Sequence, residues 1–186
     1  MTDFVPEDPS QEPDEISYVT EELEAHISPI NQLTSSGVRS LVNSYDTQRL
    51  IAENDPGNIA TYNTAQGDME AYKKIFSLIG LENTLEHQLE NNPIRELTNQ
   101  DIIKIADEYI LARLAYRGLN IRAQTNIPFI NPIIATSSKS NSTLDNYYHS
   151  YGRARTFAAI LAVLGQQNLI AEIDKDSELR LGKLQE

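Results

Sequence analysis

Apolar side chains recur every three to four positions through most of this chain, and that spacing dictates helices. Ile102, Ile105, Ala106, Tyr109, Ile110, Leu114, Tyr116, Leu119 and Ile121 form the longest such face. Thr98 opens it, and the helix it predicts runs to about Ala123. Four further segments share the period. Ile16, Val19, Leu23 and Ile27 predict a short helix ended by Pro29. Val38, Leu41, Val42, Tyr45 and Leu50 predict a second, capped by Thr34, Ser35 or Ser36. Beyond the turn Asp55-Pro56-Gly57, Ile59, Tyr62, Ala65, Met69, Tyr72, Phe76 and Ile79 predict a third, with Gly80 at its end. Leu144, Tyr147, Tyr151, Ala154, Phe157, Ala158, Leu161 and Leu164 predict another, starting near Ser142 or Thr143. Short helices are expected over Leu81–Leu89 and from Gln167 to about Asp174. No stretch alternates apolar and polar residues for long enough to make a strand. The expected fold is all-α: a compact helical bundle with an extended acidic N-terminal arm.

Two parts of the chain resemble each other. A shift of 64 superposes Thr34 on Thr98, Tyr45 on Tyr109, Arg49 on Arg113 and Leu50 on Leu114. A shift of 85 superposes Tyr62 on Tyr147, Gly67 on Gly152, Tyr72 on Phe157, Ile75 on Ile160, Ile79 on Leu164 and Gly80 on Gly165. The two shifts differ by about the length of the segment 125–142. Two pseudo-repeated helical hairpins, about 34–91 and 98–174, would produce this pattern, related by a pseudo-twofold axis. The alternative is that any two amphipathic hairpins look alike. The organisation expected is an arm with a short helix over 1–28, a bundle over 29–175 and a charged, fraying tail over 176–186.

Charge is unevenly placed. The formal net charge is −12, yet residues 1–24 hold nine acids and no Lys or Arg. The remainder is close to balanced, so acidity belongs to the arm. Its carboxylates would repel phosphates, which argues against direct nucleic-acid binding. Pro6, Pro9 and Pro13 among like charges predict an extended arm. There is no cysteine, so neither disulfides nor a thiolate metal site can form. No signal peptide is evident at the start, and no apolar run is long enough to span a membrane. These features lead us to expect a soluble intracellular protein, cytoplasmic or within a virion.

Chemistry is harder to find. His26, His87 and His149 are scattered, and no HExxH, phosphate loop, GxGxxG or GxSxG occurs. Glu82, Glu86 and Glu90 share a helical face beside His87, which reads as a solvated acidic surface rather than half of a metal site. No catalytic residue, metal or cofactor is expected, and the chain reads as no enzyme. An enzyme would need scattered carboxylates to converge on His87 or His149.

Two segments point instead to protein contacts. One runs Tyr147-Tyr148-His149-Ser150-Tyr151-Gly152-Arg153-Ala154-Arg155. Tyr and Arg are enriched at interface hot spots, which singles out Tyr148, Arg153 and Arg155. The same residues could also form core tyrosines with arginines paired to a neighbouring helix, or stack on bases. The other segment, residues 127–134, carries Ile127, Phe129, Ile130 and Ile133 around Pro128 and Pro132. Apolar residues there either tuck over the bundle or dock on a partner. With Asp3, Phe4, Glu7 and Asp8 of the arm, these are the candidate partner-binding residues. The resulting expectation is a non-enzymatic assembly protein, working in a multi-subunit assembly or homo-oligomer. By analogy of architecture it fits a bacteriophage virion component such as a connector or capsid-associated protein. The alternative is a soluble inhibitor or adaptor whose acidic arm occupies a basic partner surface.

Overall fold

The structure, a computed structural model, describes residues 17–81, 94–125 and 143–182. They form α1 (Glu21–Glu24), α2 (Ser35–Asn54), α3 (Ile59–Leu78), α4 (Asn99–Thr125), α5 (Thr143–Val163) and α6 (Gln167–Gly182), with no strand among them. The expected helix over 81–89 lies outside the described residues.

Helix starts follow side-chain chemistry. Thr34 caps α2 by accepting from the Gly37 N–H, and Asn58 caps α3 by accepting from Thr61. At α4, Thr98 and Asp101 form a reciprocal box. The Asp101 carboxylate accepts from the Thr98 N–H and hydroxyl, both at 2.8 Å, and the Thr98 hydroxyl accepts from the Asp101 N–H at 3.4 Å. Gly80 and Gly165 close α3 and α5 with φ near +80°, a conformation that favours glycine. In each case the glycine N–H and the next N–H bond back to the last turn: Gly80 to Ser77 and Leu81 to Phe76, Gly165 to Ala162 and Gln166 to Leu161.

Three expectations fail. The helix over Ile16–Ile27 shrinks to the single turn α1. The Tyr18 and Val19 N–H groups donate to Asp107 Oδ1 on α4, at 2.6 and 2.8 Å, instead of entering a helix. Thr20 then caps the turn, and Val19 and Leu23 still reach the core. Leu50 and Ile59 leave the apolar stripes assigned to them and are half-exposed, because they sit beside the α2–α3 turn where no helix covers them. The last helix does not end near Asp174. Helix α6 continues to Gly182, since Leu169, Ile173, Ser177 and Leu181 repeat every four residues and all are buried. Glu178 also pairs with Arg113 and Arg117 of α4.

The core gathers Phe76, Phe157, Ile75, Ile79, Ile102, Ile105, Ile110, Leu161, Leu164, Leu169 and Ile173 into one cluster. Helices pack as α2 on α3, α3 on α5 and α5 on α4, with α6 against α4 and α5. At the central crossing, a Cβ on Gly67 would stand 2.0 Å from the His149 carbonyl oxygen. One on Gly152 would stand 2.2 Å from that of Thr64. His149 lies 85 residues after Thr64, as Gly152 does after Gly67, so equivalent atoms meet reciprocally, as a twofold axis requires. Further out, the Asn31 N–H donates to the Leu164 carbonyl and the Arg95 N–H to that of Ile79, at 3.1 and 3.2 Å. Shifts of 64 and 85 interconvert these two bonds as well. The segments concerned, Pro29-Ile30-Asn31-Gln32-Leu33-Thr34 and Pro93-Ile94-Arg95-Glu96-Leu97-Thr98, share the pattern P-I-x-x-L-T. These reciprocal contacts are the ones that two pseudo-equivalent hairpins, α2–α3 and α4–α5, would make across the glycine crossing.

Candidate protein-interaction site

The charges flanking the glycine crossing are held by the halves themselves. In the first half Gly67 is followed by Asp68 and Glu70, in the second Gly152 by Arg153 and Arg155. Arg155 grips Asp68 with two nitrogens, Nε at 2.9 Å from Oδ1, and the Thr156 hydroxyl adds a bond at 2.7 Å to that buried carboxylate. The pseudo-symmetric counterpart is Arg153 on Glu70, Nη1 to Oε1 at 3.4 Å, with Glu108 of α4 as a second partner. His149 Nε2 stands 3.0 Å from Glu70, and Lys74 Nζ 3.3 Å from Glu108. Burial opposes ionisation of Glu70, but the His149 hydrogen bond and the Arg153 charge outweigh it and hold its pKa below the usual range. Arg153, with 14% of its side chain exposed, is thus committed within the chain. Arg155 is also paired but keeps 46% of its side chain exposed.

The tyrosines are not consumed in this way. Tyr147, Tyr148 and Tyr151 of α5, with Arg155, form one wall of an open groove of about 380 Å³. Gln48 and Ile51 of α2 and Ala60, Thr61, Thr64 and Ala65 of α3 complete it. The hollow exists because small residues face large ones: Ala65 belongs to a minor core cluster with Ala52 and Met69, apart from the main core. Tyr147 and Tyr151 lie nearly parallel, 6.5 Å between centroids. Tyr116 of α4 meets Tyr151 edge-on at 5.7 Å, Tyr148 meets Tyr147 edge-on at 5.2 Å, and the Arg155 guanidinium lies 6.0 Å from the Tyr151 ring. Burial pushes the Tyr116 hydroxyl pKa up from its ordinary value. Tyr151 is 41% exposed, and Leu144, two turns earlier on the same helix, 53%. Leu50 and Ile59, the other half-exposed apolar residues at this end, adjoin Ile51 and Ala60 in the chain.

The corresponding positions of the two hairpins provide an internal comparison. Under the same shifts Tyr148 corresponds to Asn63, Tyr151 to Gln66 and Arg155 to Glu70, while Tyr147 keeps its tyrosine as Tyr62. Ile51 and Ala60 become Ala115 and Asp145. The scaffold therefore folds with polar residues at these places, and only one side carries the aromatic array.

Among the expected partner-binding residues, the structure brings Tyr148 and Arg155 to the groove and turns Arg153 inward. Asp3, Phe4, Glu7, Asp8, Ile127, Phe129, Ile130 and Ile133 lie outside the described residues. So do Glu82, Glu86, Glu90 and His87. No group of three His, Asp or Glu side chains able to hold a metal occurs among the described residues. No helix is long and apolar enough to cross a membrane among them either. Sequence reasoning missed the α2 and α3 walls of the groove. Their signal was the run of small residues Ala60, Thr61, Thr64 and Ala65 opposite three tyrosines. Comparison of the chain with protein-family models, curated proteins and solved structures finds no match.

Proposed function

We propose that this chain is a non-enzymatic assembly protein that docks on protein partners through its tyrosine-lined groove. The observation that carries this reading is the asymmetry of the two halves. Packing accepts Asn63 and Gln66 where the other half has Tyr148 and Tyr151, so the fold does not demand those tyrosines. Partly exposed tyrosines beside an arginine and bare leucine and isoleucine side chains make a surface suited to a protein hot spot. A multi-subunit assembly such as a bacteriophage connector or capsid-associated layer is the setting we assign to it, because a helical body with an appended arm suits contact with neighbours on several sides.

Light scattering on the full chain tests the proposal. We expect a molar mass above the monomer's 20.9 kDa. The double variant Tyr148→Asn, Tyr151→Gln should return it to monomer with its helical circular dichroism intact. A wild-type chain that stays monomeric at every concentration would overturn self-assembly.

A second reading is favoured by the nine uncompensated acids of residues 1–24: a regulatory binder whose arm occupies a basic surface. Association of that kind weakens steeply with salt, whereas docking through tyrosines does not.

A further inference from the structure

We infer that the groove's occupant is the proline-rich arm of a second copy of this chain, so that copies join arm to groove, head to tail. This rests on the assembly reading above and names its partner.

The groove supplies the chemistry for one kind of ligand. Aromatic-lined grooves take extended proline-rich segments, because such segments have little conformational freedom left to lose and present prolines on one face every third residue. The arm reads Asp3-Phe4-Val5-Pro6-Glu7-Asp8-Pro9. Pro6 and Pro9 are spaced by one such turn, and Phe4 precedes them with a large apolar ring. Tyr147, Tyr148 and Tyr151 offer ring faces and edges for them. Between the prolines stand Glu7 and Asp8, and at the groove's rim stands Arg155. Asp68 holds one edge of its guanidinium, and the exposed part of the side chain can meet a carboxylate.

Where the arm leaves the body decides which copy it serves. Ser17, Tyr18 and Val19 are fastened to Asp107 of α4 by hydrogen bonds of 2.9, 2.6 and 2.8 Å, and Arg180 of α6 donates to the Tyr18 carbonyl. The groove opens between α5, α3 and α2, and no α4 residue lines it. From α4 to the far wall is two to three interaxial distances of about 9 Å each. The axial offset from Asp107 to Tyr116 adds roughly 13 Å. Pro9 and Pro6 lie eight and eleven residues before Ser17, or roughly 25 and 34 Å of extended chain at about 3.1 Å per residue. An arm turning back around its own helices would spend that whole length on the route. An arm from an adjacent copy would not. The contact is heterologous, so it closes into a ring or continues as a filament according to the rotation between copies.

The chain has no tryptophan, so Phe4→Trp places one fluorophore in the arm without touching the described fold. We expect its emission to shift to the blue as concentration rises, in step with molar mass from light scattering. Two full-length derivatives complete the experiment: Phe4→Trp with Tyr148→Asn and Tyr151→Gln, lacking the groove, and Pro6→Ser with Pro9→Ser, lacking the arm motif. Each alone should stay monomeric, and their mixture should form dimers with blue-shifted emission. A blue shift independent of concentration in a monomer would place the arm in its own groove and overturn the inference. Assembly with solvated tryptophan emission would also overturn it while leaving the assembly reading standing. A chain that never self-assembles would overturn the inference together with self-assembly.

Discussion

A methyl group at Gly152 would stand 2.2 Å from the Thr64 carbonyl oxygen and 3.1 Å from the Asp68 nitrogen. Backbone cannot swing aside as a side chain can, so the α3–α5 crossing must open. Gly152→Ala should cost about 3 kcal/mol or more, a fall of roughly 6–12 °C in thermal midpoint for a chain of this size. The same change at Gly57, with nothing within 4 Å, makes the control. Asp101 sets the pH dependence at this scale. Burial works against its ionisation, but the Arg95 side chain and the Thr98 hydrogen bonds outweigh that and lower its pKa. A carboxylate with a lowered folded pKa stabilises fully above its ordinary value, near 4. That contribution is lost as pH falls through the lower folded value. Asp101→Asn should flatten this part of a stability–pH profile followed by thermal melts, and lower stability at pH 7.

Individual helices differ in how far their own residues announce them. Thr34, Asn58, Thr98 and the two terminal glycines act locally, through bonds one turn long, so α2 to α5 begin and end close to where periodicity and capping place them. Helix α1 could not be read that way. Its missing turns are taken by Asp107, a residue nearly ninety positions away, and no local rule registers such a competitor. The end of α6 departs from expectation for the opposite reason: its charges suggest fraying, whereas Leu181 continues the four-residue spacing of Leu169 and Ile173. Leu181 is 5% exposed, and Leu181→Ala should cost about 2–4 kcal/mol, read as a lower denaturant midpoint. A substitution with no effect would mean the last two turns contribute nothing.

For the whole molecule, the helical architecture was legible because one period dominates the chain, while the expected repeat rests on the spacings Gly67/Gly152 and Gly80/Gly165. The groove was only half legible. Its tyrosines stand out in the sequence, but the cavity arises from small residues of two other helices meeting them. The groove should also be separable from stability. Tyr148→Asn with Tyr151→Gln gives up three ring contacts worth about 0.5–1.5 kcal/mol each, so the thermal midpoint should fall by roughly 3–18 °C with the helical fold kept, while assembly is lost.

The reversal of charge beside the central glycines bears on how the chain is made. A first hairpin leaving the ribosome meets other first hairpins before its own second half exists. Paired through this face, two of them would set Asp68 and Glu70 against a second Asp68 and Glu70, four carboxylates around a single crossing. Two second hairpins would gather four guanidinium groups there. Only unlike halves cancel these charges, so pairing of each hairpin with its opposite is favoured over pairing with its like.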